Sequence, residues 1–310
     1  MTRARSHLLL ILALTALGAA LRFATIDRQS FWLDELVTVS LLDHSLGDVV
    51  REVPRSEATP FLYYVVAWAW GSVLGLGEVG IRTLSALAGT ATIPVAYAAG
   101  AVLVSRRAGV VAAALVAVNP FLVWYSQEAR SYALLALLGA GTVLALGHAL
   151  CGSRRWLVGW AALAALAIAT HYYALFLVAA EVVWLLVRVR PRRPVVLASL
   201  LPGATLLVEV PLVLAQRDNA EAVTGSSLVA RIAGIPKNLA VGYSFPSEAI
   251  GSVLAALLLL VGLALVVRLA PAESAHRAVA AARPSRPLAN PAPRHTAAGT
   301  TATIVFLAIR

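Results

Sequence analysis

The chain has 310 residues, 60% of them hydrophobic and only 13% charged, with a mean hydropathy of +0.83 and a formal net charge of +10. Soluble domains run at about 45–50% apolar and about 25% charged, so a soluble globular protein is excluded. Nucleic acid is not the partner that the positive charge implies. The arginines stand in short clusters between apolar stretches (Arg3 and Arg5, Arg106 and Arg107, Arg154 and Arg155, then Arg188, Arg190, Arg192 and Arg193), as in the cytoplasmic loops of membrane proteins.

A hydrocarbon core about 30 Å thick calls for about 20 apolar residues per helical span. In chain order the candidates are 8–26, 61–77, 83–104, 108–125, 132–150, 156–172, 174–187, 195–215 and 249–267. The first follows Arg3 and Arg5 without a small-residue cleavage site, and reads as a retained anchor. Segment 61–77 differs from the rest. Tyr63, Tyr64, Trp68 and Trp70 favour headgroup depth, and Gly71, Gly75 and Gly77 weaken its far end. If it lies in the interface, every inter-span arginine cluster falls on the cytoplasmic side with the amino terminus.

The expectation is an all-α polytopic membrane protein with about eight transmembrane helices. A long first external loop, 27–82, carries a juxtamembrane helix at 61–77. Short external turns follow at 126–131 and near 170–173, and a second external loop at 216–248 is rich in Gly, Asn, Ser and Pro. Beyond Arg268 the sequence is rich in Ala, Pro and Arg and lacks apolar periodicity, so 269–310 is expected to be a disordered tail behind a membrane domain at 1–268. The run 303–309 is too short to span. No repeat of fixed period is present. A single cysteine, Cys151, supports no internal disulfide, redox or metal argument.

Three polar features fall on the predicted outer side. The first is Ser30-Phe31-Trp32-Leu33-Asp34-Glu35-Leu36, two adjacent carboxylates flanked by aromatics. On a helix they would point about 100° apart, so they need not share a proton. One could serve a site as a base, or both could simply complement the dipole of a solvated helix start. The second is Trp124-Tyr125-Ser126-Gln127-Glu128-Ala129-Arg130-Ser131-Tyr132, in which Glu128 and Arg130 are either a site or a snorkelling interfacial pair. The third, Thr170-His171-Tyr172-Tyr173, reads as an aromatic-belt element or a further contact. Glu181 and Glu209, inside apolar stretches, must face the bundle interior. There is no Walker loop, no dinucleotide fingerprint and no His-Glu-x-x-His zinc motif, so nucleotide hydrolysis is not expected.

The Asp34-Glu35 pair, the segment Thr59-Pro60-Phe61-Leu62-Tyr63-Tyr64 and the run Ser126-Gln127-Glu128-Ala129-Arg130-Ser131-Tyr132 together resemble the GT-C-type glycosyltransferases. More narrowly, the chain is similar over about residues 1–215 to family 39, which includes protein O-mannosyltransferases and the aminoarabinose transferases of lipid A. The resemblance implies a multi-pass cell-membrane enzyme with its active site facing outside. Its donor would be a sugar, mannose or related, on a polyprenyl phosphate, and its acceptor a hydroxyl on protein, glycan or lipid. By matching position, Asp34 would be the catalytic base with Glu35 beside it, and Glu128, Arg130, His171, Tyr132 and Tyr63 would contact substrate. A divalent cation is compatible with this chemistry and not required by the sequence. The family commonly has more spans and a larger external region after them, so against it the chain reads as a shortened member, a fragment, or a chain whose last part is not read in its usual form. Competing readings are a lipid-linked-sugar flippase or an inactive relative. Transporters place charges near the midplane, often in repeated halves, whereas here they gather at helix ends on one side.

Overall fold

The computed structural model describes residues 2–217, together with 219, 234–235, 237–239, 247, 250–257 and 260. The expected tail at 269–310, most of the second external loop and part of the 249–267 segment lie outside the described residues. Among the described residues all regular structure is helical: α1 (Thr2–Phe23), α2 (Leu33–Leu42), α3 (Leu46–Ser56), α4 (Phe61–Leu74), α5 (Glu78–Leu103), α6 (Arg106–Val118), α7 (Pro120–Tyr125), α8 (Tyr132–Leu150), α9 (Arg155–Thr170), α10 (Ala174–Arg188) and α11 (Arg193–Gln216).

Four stretches are long and apolar enough to cross a membrane by length and composition: Arg5–Phe23, Glu78–Leu103, Tyr132–Leu150 and Arg193–Gln216. Their outward faces carry large apolar side chains that water would not tolerate in such numbers. Leu9, Leu12, Leu207 and Val208 are examples, and the shorter α10 adds Phe176 and Val187. The protein is an all-α membrane protein. The predicted 61–77 segment is α4, whose 14 residues rise only about 21 Å. Segment 108–125 is broken instead of continuous. Pro120 has no N–H for the carbonyl of Val116, and Asn119 caps the short α7 by accepting the N–H of Leu122 at 2.9 Å.

Arg22 repairs that break. It is fully buried in the last turn of α1, donating to the carbonyls of Val116 at 3.0 Å and Ala117 at 3.1 Å, and to Ser126 Oγ at 3.1 Å. A cation at the carboxyl end of α6 also complements its dipole. Small residues bring the backbones together around it. A Cβ on Gly89 of α5 would lie 2.9 Å from Arg22 Nε, and one on Gly100 would lie 2.9 Å from Gly109 Cα across the α5–α6 crossing.

The 27–82 region holds three helices instead of one. α3 is a surface helix: it buries Val49 and Val53 and exposes the ion pairs Arg51–Asp48 and Arg55–Glu52. Together with α2, α4 and the start of α5 it encloses a core of Leu41, Leu42, Tyr63, Tyr64, Ala67 and Ile81. A second core joins α8 to α11 around Trp160, Leu146, Ile168 and Leu185. Glu181 does face the interior there, accepting from Thr142 Oγ1 at 2.9 Å and Trp160 Nε1 at 2.8 Å. Glu209 is likewise buried.

Candidate active site

Helix ends converge at one rim of the bundle: the exit of α1, the first turns of α2, α5 and α8, and the last turn of α9. The turn between α7 and α8 is tied down by Gln127, whose Nε2 donates to the carbonyls of Leu21 and Arg22 and to Thr25 Oγ1 at 2.7 Å. That anchor carries Glu128 and Arg130 to α2.

The adjacent carboxylates have opposite surroundings. Glu35 is fully buried. Its oxygens take Arg82 Nη2 at 2.6 Å, Arg82 Nε at 2.8 Å and the N–H of Ala129 at 2.8 Å, and it turns back to accept the N–H of Trp32 at 3.4 Å. Arg82 spends its remaining donors on the carbonyls of Ile26, Gln29 and Ser30 and lies over the Phe31 ring. Every polar atom of this pair is engaged, so the pair stitches the segment between α1 and α2 to α5. Asp34, one position earlier on the helix, faces out with its side chain 42% exposed, and its nearest cation is Arg130, with Nη2 3.9 Å from Oδ2.

Arg130 is nearly buried and centres a second network. Its Nη1 donates to both oxygens of Glu57, at 3.0 and 3.2 Å, and to Thr38 Oγ1 at 3.0 Å. Burial works against its charge, but Tyr64, Glu57, Tyr132 and Asp34 around it outweigh that and hold its pKa above the ordinary arginine value. Glu128 is 8% exposed. Trp124 Nε1 donates to its Oε1 at 2.6 Å, while its Oε2 has no hydrogen-bond partner among the described residues. Burial pushes its pKa up to about 7; the Trp124 bond and Arg130 pull the other way, and Glu35 and Asp34 add to the rise.

His171, the cap of α9, is 7% exposed, its ring 5.8 Å from that of Tyr132 and 4.8 Å from that of Tyr173. Its Nδ1 accepts the N–H of Tyr173 at 3.2 Å, which assigns the proton of the neutral ring to Nε2. Burial, and then Arg130, draw its pKa down to about 4, so near neutral pH it is an uncharged donor.

Asp34, Glu35, Glu128, Arg130, Tyr132 and His171 are therefore neighbours. Tyr63 sits beneath them, 1% exposed, its ring edge-on to Tyr64. Beside this cluster a cavity of about 410 Å³ opens between α1, α5, α7 and α8. Tyr125, Ser126, Tyr132 and Tyr173 line it near the polar rim, and its body is walled mostly by apolar residues such as Val116, Phe121, Leu122 and Leu135. Among the described residues no group of three or more His, Cys, Asp or Glu side chains could hold a metal ion.

Sequence reasoning missed Glu57, Thr38, Arg82 and Arg22. The arginines carried a signal, since Arg22 lies inside an apolar segment and Arg82 stands apart from the clusters. Glu57 and Thr38 carried none.

Comparison with known proteins gives the chain a family. No curated protein and no solved structure matches the chain. A family model described as dolichyl-phosphate-mannose-protein mannosyltransferase matches residues 58–215, just over half of the sequence. The match takes in Arg82, Glu128, Arg130 and His171, and begins after Asp34, Glu35 and Glu57. On that match, the chain belongs to the dolichyl-phosphate-mannose-protein mannosyltransferase family, membrane glycosyltransferases of the GT-C type that use a polyprenyl-phosphate sugar.

Proposed function

We propose that this protein moves a sugar, mannose or a relative, from a polyprenyl-phosphate donor to an acceptor hydroxyl at the outer face of the cell membrane, inverting the anomeric carbon. The acceptor is a hydroxyl of protein, glycan or lipid. Asp34 takes the proton of that hydroxyl as its oxygen attacks C1. The C1–O bond to phosphate breaks, and its electron pair leaves with the lipid phosphate. General-base help of this kind is worth about 10²–10⁴ in rate. Arg130 offsets charge on the departing phosphate, and His171 offers a neutral Nε2–H. Glu35 acts through Arg82 to fix the turn of α2 that presents Asp34, and Glu128, Tyr132 and Tyr63 complete the surroundings of the bound substrate.

The observation that carries this reading is the accessibility of Asp34. Its side chain is 42% exposed, whereas those of Glu35 and Glu57 are 1% and 3% exposed and already paired with Arg82 and Arg130. A base must reach the proton it removes, so the open carboxylate is the one suited to the task. The test uses membranes supplied with polyprenyl-phosphate mannose carrying a radiolabel. Asp34→Asn should abolish transfer into membrane protein and glycan while the protein stays inserted; undiminished transfer would reject the assignment.

A further inference from the structure

Arg130 has two carboxylates within reach and binds only one. Its Nη1 is 3.0 Å and 3.2 Å from the oxygens of Glu57, while its Nη2 stops 3.9 Å short of Asp34 Oδ2. A charge-assisted N–H to carboxylate bond closes at about 2.7–2.9 Å, so the contact with Asp34 is a neighbourhood and not a bond. The choice follows from burial. Leaving Glu57 ionised without a partner in a dry site costs far more than leaving an exposed Asp34 to water.

Glu57 is itself held in place. It closes α3, its N–H donating to the carbonyl of Val53 at 3.1 Å, and its own carbonyl accepts Asn219 Nδ2 at 2.9 Å. Thr38, one turn after Asp34 on α2, accepts from Arg130 and donates to the Asp34 carbonyl at 3.0 Å, with Glu57 Oε1 3.4 Å away. The guanidinium is thus pinned between α2, α3 and the turn after α7.

We propose that Glu57 is a positioning residue for the transfer: it holds Arg130 off the Asp34 carboxylate, leaving Asp34 open to take a proton. This rests on Asp34 being the base. Without the Glu57 charge, Arg130 would close on Asp34. An opposite charge drawn to hydrogen-bond distance lowers a carboxyl pKa by about 1–3 units and makes it a weaker base.

The experiment follows sugar transfer from polyprenyl-phosphate mannose against pH in membranes. Four proteins are compared: wild type, Asp34→Asn, Glu57→Gln and the double variant Glu57→Gln with Arg130→Gln. The other groups facing Asp34 and Arg130, namely Tyr64, Glu128, Tyr132 and His171, are common to all four. Glu57→Gln should lose at least about tenfold in maximal rate. It should also move the acid limb of its pH profile down by about one unit. The double variant, with no arginine to close on Asp34, should return the acid limb to the wild-type position or above it. A Glu57→Gln protein with the wild-type rate and acid limb would overturn the proposal while leaving the Asp34 assignment standing. Full transfer by Asp34→Asn would remove the base and this proposal together. If Glu57→Gln fails to insert, the double variant, which leaves no buried charge alone, decides: an acid limb lowered by a unit despite the missing arginine refutes the proposal.

Discussion

Glu35 and Arg82, 47 residues apart in sequence, meet through two hydrogen bonds of 2.6 and 2.8 Å with both side chains nearly removed from solvent. Removing one member of such a pair leaves the other charged and unpaired, which costs about 3–5 kcal/mol. Arg82→Ala should therefore destabilise the protein by that amount, and Glu35→Gln with Arg82→Met together by much less. Thermal unfolding in detergent separates the two cases. Equal losses would mean that the pair is not what binds α2 to α5.

Glu128 supplies a pH-dependent stability. Its folded pKa of about 7 lies above the ordinary 4.5, so its contribution is intact below about pH 4.5 and is lost as the pH rises toward 7. His171 has the opposite sign: with a folded pKa of about 4 against an ordinary 6.5, its contribution is intact above pH 6.5 and lost toward pH 4. The expected result is that Glu128→Gln, compared with wild type, unfolds at a gradually higher relative temperature between pH 4.5 and 7. A difference that stays constant across that window would rule out the raised pKa.

His171→Gln places an amide N–H near the position of Nε2 and should retain most sugar transfer, whereas His171→Ala should lose it. Neither should introduce or remove an inflection between pH 6 and 8, because His171 is neutral throughout that range. An inflection near pH 6.5 that disappears in His171→Gln would show that the ring titrates normally.

Gly89→Ala tests the seat of the turn that carries Glu128 and Arg130. The added carbon would lie 2.9 Å from Arg22 Nε and 2.8 Å from Ser126 Cβ, so one of them must move. Overpacking of this kind costs about 1–3 kcal/mol. Reduced melting temperature together with reduced transfer is expected; unchanged transfer would show that the turn tolerates displacement.

Sidedness can be read with cysteines. Cys151 is free and exposed, at the opposite end of α8 from Tyr132. If the polar rim faces outward, a membrane-impermeant maleimide should label Ser45→Cys in intact cells and reach Cys151 only after permeabilisation. The reverse pattern would place Asp34 in the cytoplasm.

Much of the fold was legible because spans are local features. α8 coincides with the expected 132–150 segment, α11 contains 195–215, and α5 covers 83–104 but for its last residue. The break at Asn119 was missed because apolarity continues through Pro120 in a hydropathy profile, although the Asn119-Pro120 step itself signals a helix stop. α3 was hidden for a different reason. It is mostly polar, and only Val49 and Val53 need burying, which a search for apolar runs overlooks. Of the candidate site, the polar residues at helix ends were visible, but their partners Glu57 and Thr38 sit in unremarkable surroundings.

By itself, the sequence determined that this is a helical membrane protein with its polar chemistry at helix ends, because hydropathy and charge act over a single turn or span. By spacing alone Asp34 and Glu35 were equals, and the family resemblance set Asp34 as the base. The tertiary structure gave the two carboxylates different surroundings. Arg82 and the backbone of Ala129 close around Glu35, while the Asp34 carboxylate stays 3.9 Å from Arg130 Nη2. Burial and pairing depend on residues 47 and 94 positions away, and those distances come into being when the bundle packs.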